Sequence, residues 1–259
     1  LLEENIYFAD GQILEEVYVY GSFTQSKMYA NDVRCSDCHD SHSLELLREG
    51  NQLCAQCHDP AVYDTTAHHF HKLEVDGQPS DGALCVKCQM VEKPYMVIDW
   101  RADHSFLLPR PDLSAALGTP NACTQSKCHD DRPLQWSIDA WNRWYGEARR
   151  PHFGTVFAAA REGETAGLVE LVTTELQPPL VRATALELLA LNGAPELAGV
   201  CADLLVAEAS ILRHTAVTNL PLLDPADFAR QVAPLLADPA KAVRMAASSR
   251  LAGIEPALL

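Results

Sequence analysis

The sequence lacks any run of about 18 or more apolar residues, so it predicts no membrane-spanning helix. It is also poor in basic residues, with 20 Lys and Arg against 35 Asp and Glu and a formal net charge of -15. Because phosphate binding needs clustered Lys and Arg, this balance argues against nucleic acid as a partner. No basic segment followed by an apolar one is visible from Leu1 onwards, so we expect that a signal peptide has been removed or lies upstream.

The two halves of the chain differ in composition. Residues 1–132 are rich in Cys, His, Asp and Pro and show little sustained periodicity, which predicts a loop-rich domain with short helices. Residues 133–154 predict a connecting helix with Trp136, Trp141 and Trp144. We expect these Trp side chains to pack as core, the alternative being packing on a cofactor face. Residues 155–259 form the third segment.

The third segment repeats with a period of 31 residues. An aliphatic residue followed by Arg recurs at that spacing, as Val181-Arg182, Leu212-Arg213 and Val243-Arg244. Two helices per period of about 30 residues are typical of an α-solenoid, and the segment resembles short HEAT-like repeats. Leu168, Val172 and Leu176 look like an earlier copy, and Cys201 falls on an apolar helix face as inert core. The predicted fold is therefore mainly α, a loop-rich domain followed by a short solenoid.

Eight of the nine cysteines form four close pairs, which we number as the first to fourth motif. The first two motifs have the pattern C-x-x-C-H, the third is C-x-x-C-Q, and the fourth is C-x4-C-H. The pairs are Cys35 and Cys38, Cys54 and Cys57, Cys85 and Cys88, and Cys123 and Cys128.

In three motifs a His directly follows the second cysteine, namely His39, His58 and His129. Two thiols at this spacing can form thioethers with the vinyl groups on one edge of a porphyrin, and the next side chain then lies where imidazole binds iron. The longer spacer of the fourth motif can bulge outward while both thiols stay at the vinyl groups. Zinc needs the paired thiolates but not the following His, and disulfides or an iron–sulfur cluster explain the His no better. We predict four haem c groups, with zinc-stapled loops as the alternative.

The third motif departs from this pattern because Gln89 stands where the others have His. A neutral carboxamide is a poor iron ligand. Three interpretations stay open. Another His supplies the axial bond, the iron has an open position that indicates catalysis, or the residue is misassigned.

Further histidines in the same region are candidates for the second axial ligand, and their abundance favours bis-His haems. Methionine, at Met28, Met90, Met96 and Met245, is more typical as core filling. His214, within the repeats, is interpreted as an ordinary surface or hydrogen-bonded residue. The candidate ligands are His42, His68, His69, His71, His104 and His152.

From Cys35 to His58 the sequence resembles the doubled C-x-x-C-H motif of multihaem cytochromes. A longer stretch, residues 10–146, is similar to a bacterial family of multihaem cytochromes with HEAT or tetratricopeptide repeats. That similarity is carried by residues 19–23, 68–71, 103–106, 109–113 and 118–123. The chain departs from the family at Gln89 and at Phe8, where relatives tend to have His. The resemblance also implies further motifs upstream of Leu1.

The predicted function is electron transfer through closely spaced haems. Covalent haem attachment takes place outside the cytoplasm, so we expect a periplasmic or extracellular location. Expected partners are redox proteins or neighbouring cytochrome subunits. The rival is a haem enzyme acting on a small nitrogen or sulfur species at an open iron near Gln89.

Overall fold

The structure is a computed structural model that describes residues 1–95, 97–125 and 128–258. Met96 and the middle of the fourth-motif spacer, where an outward bulge is predicted, lie outside the described residues. The fold is mainly α-helical and divides into two compact units. The cysteine-motif unit is Asn5–Pro151, and the helical unit is Leu1–Glu4 with His152–Leu259. Nowhere in the described part of the chain does a helix combine the length and apolarity needed to cross a bilayer.

The cysteine-motif unit is built from short elements. Its helices are α1 (Val19–Phe23), α2 (Lys27–Ala30), α3 (Pro60–Tyr63), α4 (Thr66–His69), α5 (Cys85–Gln89), α6 (Pro111–Leu117) and α7 (Leu134–Tyr145). Its strands are β1 (Glu74–Val75) and β2 (Gln78–Pro79), and β3 (Glu92–Tyr95) and β4 (Asp99–Ala102), each pair antiparallel. The helix α7, predicted as a connector, packs against α6 within this unit.

Local sequence explains several of these boundaries. Asp59 accepts a hydrogen bond from the Ala61 N–H and so caps α3, which has Pro60 at its first position. The β1–β2 hairpin turns at Asp76-Gly77, both with positive φ (52° and 74°). Two central residues with positive φ match the twist of paired strands, and Asp-Gly is a preferred sequence for such turns.

The core of the cysteine-motif unit lies away from the first two motifs. From Lys27 to Gly82, a stretch that the structure describes completely, no residue is buried. Buried apolar side chains, including Ile13, Phe23 and Leu113, come from the segments on either side. These segments are joined by Asp103, whose carboxylate accepts the Ile13 N–H at 2.8 Å. The buried carboxylate therefore anchors the backbone next to His104.

The helical unit contains α8 (Phe153–Arg161), α9 (Leu168–Thr173), α10 (Pro179–Leu191), α11 (Leu197–Leu204), α12 (Ser210–Asn219), α13 (Pro225–Val232) and α14 (Lys241–Leu251). Its α10 packs against α9 and α12, and α12 packs against α14. Val181, Leu212 and Val243 each occupy the third position of their helix and are at most 1% exposed. Cys201 is fully buried, as predicted. Leu176, expected on the apolar face of α9, is 94% exposed because the helix ends before it.

The three Arg residues of the sequence period make similar contacts. Arg182 donates to the Val172 carbonyl at 2.8 Å, and Arg213 donates to the Ala207 carbonyl at 2.7 Å. Arg244 donates to the Asp238 carbonyl at 2.6 Å. Each guanidinium thus satisfies a carbonyl in the chain that precedes its own helix.

Candidate functional site

The three motifs that end in His close in the same way. In each, the His backbone N–H donates to the carbonyl of the first cysteine, at 2.9 Å in the first motif and 3.0 Å in the second and fourth. The four-residue spacer of the fourth motif therefore leaves its closure unchanged. In the third motif the five residues Cys85–Gln89 form α5, and Gln89 ends that helix. The backbone thus places the two cysteines and the following side chain together in every motif.

Two pairs of imidazole rings lie close together in the cysteine-motif unit. The His39 and His104 ring centroids lie 6.3 Å apart with 29° between the ring planes. The His71 and His129 centroids lie 6.1 Å apart at 32°. Two imidazoles bound to opposite sides of one metal, with bonds of roughly 2 Å, have ring centres about 6 Å apart. Both pairs therefore have the separation that bis-His ligation requires.

Hydrogen bonds at the Nδ1 atoms show which nitrogen of each ring is free to bind a metal. Nδ1 of His39 lies 2.9 Å from the Leu44 carbonyl oxygen, and Nδ1 of His104 lies 2.9 Å from that of Ala102. Nδ1 of His71 lies 2.6 Å from the His69 carbonyl oxygen. A carbonyl can only accept, so each Nδ1 carries the proton and each Nε2 keeps its lone pair for a metal. Three of the four paired rings are thus in the tautomer that binds haem iron.

His69 is in the opposite tautomer, with its proton on Nε2. Its Nδ1 accepts the His71 backbone N–H at 3.2 Å, which in the neutral ring leaves the proton on Nε2. That Nε2 is buried and has no hydrogen-bond partner in the described part of the chain. Burial lowers the pKa of His69, which favours the neutral ring. The His69 and His71 centroids are also 6.2 Å apart, so ring separation alone does not identify a ligand pair.

The other candidate histidines are placed as follows. His68 contacts the Tyr63 ring edge-on at 5.3 Å, and Tyr63 in turn contacts His58 at 5.6 Å. His42 is exposed and its backbone N–H donates to Asp40. His152 lies in the helical unit, where its Nδ1 accepts the Gly154 N–H and caps α8. Iron ligation by these three residues stays a prediction.

The three tryptophans of α7 are only half-buried, which corrects the expectation that they pack as core, and two of them lie against histidines. Trp136 packs on His129 with centroids 4.4 Å apart. Trp144 lies 6.3 Å from His71 and stacks on Phe70 at 4.8 Å with parallel planes. The helical spacing of these residues was visible in the sequence, but their partners were not, since His71 and Phe70 are distant in the chain.

Side-chain amides join each motif to the next, and sequence reasoning missed them. Gln56 of the second motif donates to the Asp37 carbonyl of the first at 3.4 Å. Asn51 accepts the Cys85 N–H at 2.9 Å, which joins the segment before the second motif to the third. Gln125 of the fourth motif donates to the Lys87 carbonyl of the third at 2.7 Å. In the sequence these residues look like ordinary loop amides.

The second and third motifs also meet through their thiols. The first cysteines of both motifs, Cys54 and Cys85, are hydrogen-bonded to each other. This contact lowers the pKa of Cys85 to about 7 and raises that of Cys54. The first attachment positions of the two motifs are therefore adjacent.

Among the described residues, no three His, Cys, Asp or Glu side chains form a group that could hold a metal ion. A haem iron needs only one or two protein ligands, because the porphyrin nitrogens supply the others. The two imidazole pairs, with a cysteine pair beside one ring of each, fit that demand.

Comparison with known proteins agrees with the first two motifs. The family described as the doubled CXXCH motif matches residues 28–63, which include both. This segment carries a doubled haem c motif. The match covers this segment alone, and a doubled CXXCH motif supports haem c binding there. Searches of curated proteins and of solved structures returned no match.

Proposed function

We propose that the chain is a multihaem c-type cytochrome that transfers electrons through four closely spaced haem c groups. The cysteines of the four motifs tether them by thioether bonds, and His39, His58 and His129 are the proximal ligands. Bound haem c supplies one-electron redox chemistry. The chain supplies ligation, burial and spacing, which set the potentials.

The observation that carries this proposal is the two imidazole pairs, in which three of the four rings carry the proton on Nδ1. It supports His104 as the distal ligand opposite His39, and His71 opposite His129. His42 and His68 are the candidates opposite His58, and His68 already lies against the Tyr63 ring that contacts His58. Bis-His ligation favours low potentials compared with His and Met.

The amide contacts support transfer in chain order. Because Gln56, Asn51 and Gln125 each hold one motif against the next, the attachment points follow one another from the first to the fourth. The acidic net charge of -15 suits association with a basic surface on a redox partner.

We further propose that residues 155–259 form a HEAT-like α-solenoid that docks a redox partner or a neighbouring cytochrome subunit, with residues 1–132 as the haem domain. The parallel contacts of Arg182, Arg213 and Arg244 support a structural repeat. The docking role rests on analogy between folds. Because haem c is attached outside the cytoplasm, the proposed haems support a periplasmic or extracellular location.

The test is a pyridine haemochrome assay combined with the intact mass of the protein purified from a host that attaches haem c. We expect four haems per chain, and the mass of the polypeptide plus four haems. A colourless protein with the mass of the bare polypeptide contradicts the proposal. Zinc without iron in metal analysis establishes the zinc-stapled alternative instead.

Gln89 favours a second candidate function, a haem enzyme acting on a small nitrogen or sulfur species. It ends α5 at the position that His occupies in the other motifs, and its carboxamide is a poor iron ligand. A high-spin signal in the wild-type protein that shifts on adding nitrite or cyanide supports the enzyme. Purely low-spin spectra without such shifts remove it.

A further inference from the structure

Gly82 lies against the ring of His71, one of the proposed haem ligands. It lies in the turn Asp81–Ala83, directly before the third motif. A Cβ on Gly82 would lie 2.4 Å from Cδ2, 2.9 Å from Cγ and 3.2 Å from Nε2 of His71. Real Cβ atoms essentially never approach within 3.0 Å, so either the ring or the turn would have to move.

Space, and not backbone conformation, requires glycine here. Gly82 is not one of the glycines with positive φ, so other residues can adopt its backbone conformation. The crowded atoms include Nε2, the nitrogen that carries the lone pair for a metal.

The ring of His71 has little freedom to yield. Its Nδ1 is held at 2.6 Å by the His69 carbonyl, and its backbone N–H is bonded to His69 Nδ1 at 3.2 Å. Trp144 lies edge-on to the ring at 6.3 Å. A clash with Gly82 therefore falls on a fixed imidazole rather than on the end of a flexible side chain.

The turn is fixed as well. Asn51 donates to the Ala83 carbonyl at 2.9 Å and accepts the Cys85 N–H at 2.9 Å, so it clamps the turn on both sides of Leu84. Because both the turn and the ring are held, a Cβ at position 82 would displace the His71 ring or strain the turn.

We propose that Gly82 is a positioning residue for the fourth haem: by lacking a side chain, it lets His71 take the distal position opposite His129. The inference rests on the proposed function. It makes the turn that leads into the third motif part of the distal side of the fourth.

The experiment compares full-length Gly82→Ala with wild type, both carrying haem, by haem content and by electron paramagnetic resonance. The matched control is Gly199→Ala, at a position with ordinary φ and nothing within 4 Å of the added Cβ. We expect G82A to keep four haems while one haem in four changes from low-spin to high-spin, as in His71→Ala. G199A should leave all low-spin signals unchanged.

Two outcomes separate the proposals. Fewer than four haems in wild type contradicts the proposed function, whereas four haems and an unchanged low-spin spectrum in G82A overturn the role of Gly82. If G82A loses haem or unfolds, the double variant with His71→Ala decides. The effect of Gly82→Ala on haem content and melting temperature is then compared in the wild-type and His71→Ala backgrounds. A smaller effect in the His71→Ala background supports a clash with the ring, and an equal effect in both overturns it.

Discussion

In the helical unit the largest fully buried side chains are aromatic or aliphatic, with Phe157, Leu168 and Leu186 among them. The cysteine-motif unit, which the structure describes throughout from Lys27 to Gly82, buries no residue in that stretch. There the close contacts are between imidazole and aromatic rings, and the backbone is tied by amide and carbonyl hydrogen bonds. The two units therefore differ in what holds them together.

Burying a large apolar side chain contributes roughly 1.5–3 kcal/mol, so the helical unit can draw its stability from the hydrophobic effect. A stretch without buried side chains has no such source. Under the proposed function, tethered haem supplies both its interior and its cross-links, because a group that binds only the folded state adds its binding free energy to folding. Removing a haem and removing a core side chain should then damage different units.

The largest effect is expected from the double change Cys54→Ala and Cys57→Ala. The second motif then has no thiol for thioether formation, so the protein should lose one haem per chain by mass and by haemochrome assay. The cysteine-motif unit should also become less stable to urea, since the stretch around this motif has no buried side chains to compensate.

Cys201→Ala is the control for that change. It also removes a cysteine, but one that is fully buried in the helical unit and outside every motif. We expect an unchanged haem content and a decrease of about 1 kcal/mol in the free energy of unfolding, as for the deletion of one small buried group. Retention of four haems after the double change at the second motif would show that its cysteines do not attach one.

A core deletion in the helical unit should show the reverse pattern. Phe157→Ala removes a side chain that is 0% exposed, and we expect a loss of about 3–5 kcal/mol in the free energy of unfolding. Far-ultraviolet circular dichroism in urea measures it, and haem content and low-spin spectra should stay at wild-type values. The matched variant Leu191→Ala, 75% exposed at the end of α10, should change stability by less than about 0.5 kcal/mol. Loss of haem in F157A would contradict independent stabilisation of the two units.

The same division explains what could be predicted from the sequence. Helices with a sustained apolar face have a signal in their own spacing, so Val181, Leu212 and Val243 marked the starts of α10, α12 and α14. Cysteine pairs with a following His are equally local. The proximity of the two thiols and the following side chain within each motif could therefore be predicted.

From the sequence we could predict a set of candidate distal histidines, but not which proximal histidine each one lies opposite. His104 and His71 meet their partners only through tertiary contacts. The carboxylate of Asp103 anchors the His104 segment to Ile13, and nothing in the spacing of these residues indicates that contact. The space beside Gly82 had no sequence signal for the same reason. The β1–β2 hairpin did have a local signal, the Asp76-Gly77 turn, which helical periodicity does not reveal.

The smallest expected effect comes from an ion pair and concerns pH. In the helical unit Arg213 binds both oxygens of Asp238, at 2.7 and 3.0 Å, and the two side chains are only 12% and 4% exposed. The guanidinium holds the pKa of Asp238 below its usual value. A depressed carboxyl pKa in the folded state contributes stability that is present above the unfolded value of about 3.9 and is lost as pH falls through the folded value.

Asp238→Asn should therefore lower the free energy of unfolding by about 2 kcal/mol at neutral pH, which is typical of losing a hydrogen bond to a charged group. The decrease should become progressively smaller as pH falls below 4. Urea unfolding followed by circular dichroism between pH 7 and pH 3 measures both the cost and its slope. Asp227→Asn is the matched control, because the Asp227–Arg230 pair lies one turn apart on the exposed side of α13, where ion pairs contribute little. A cost for D238N that stays constant down to pH 3 would mean that the buried pair contributes by packing rather than by charge. The helical unit would then resemble an ordinary apolar core still more closely, and its contrast with the cysteine-motif unit would sharpen.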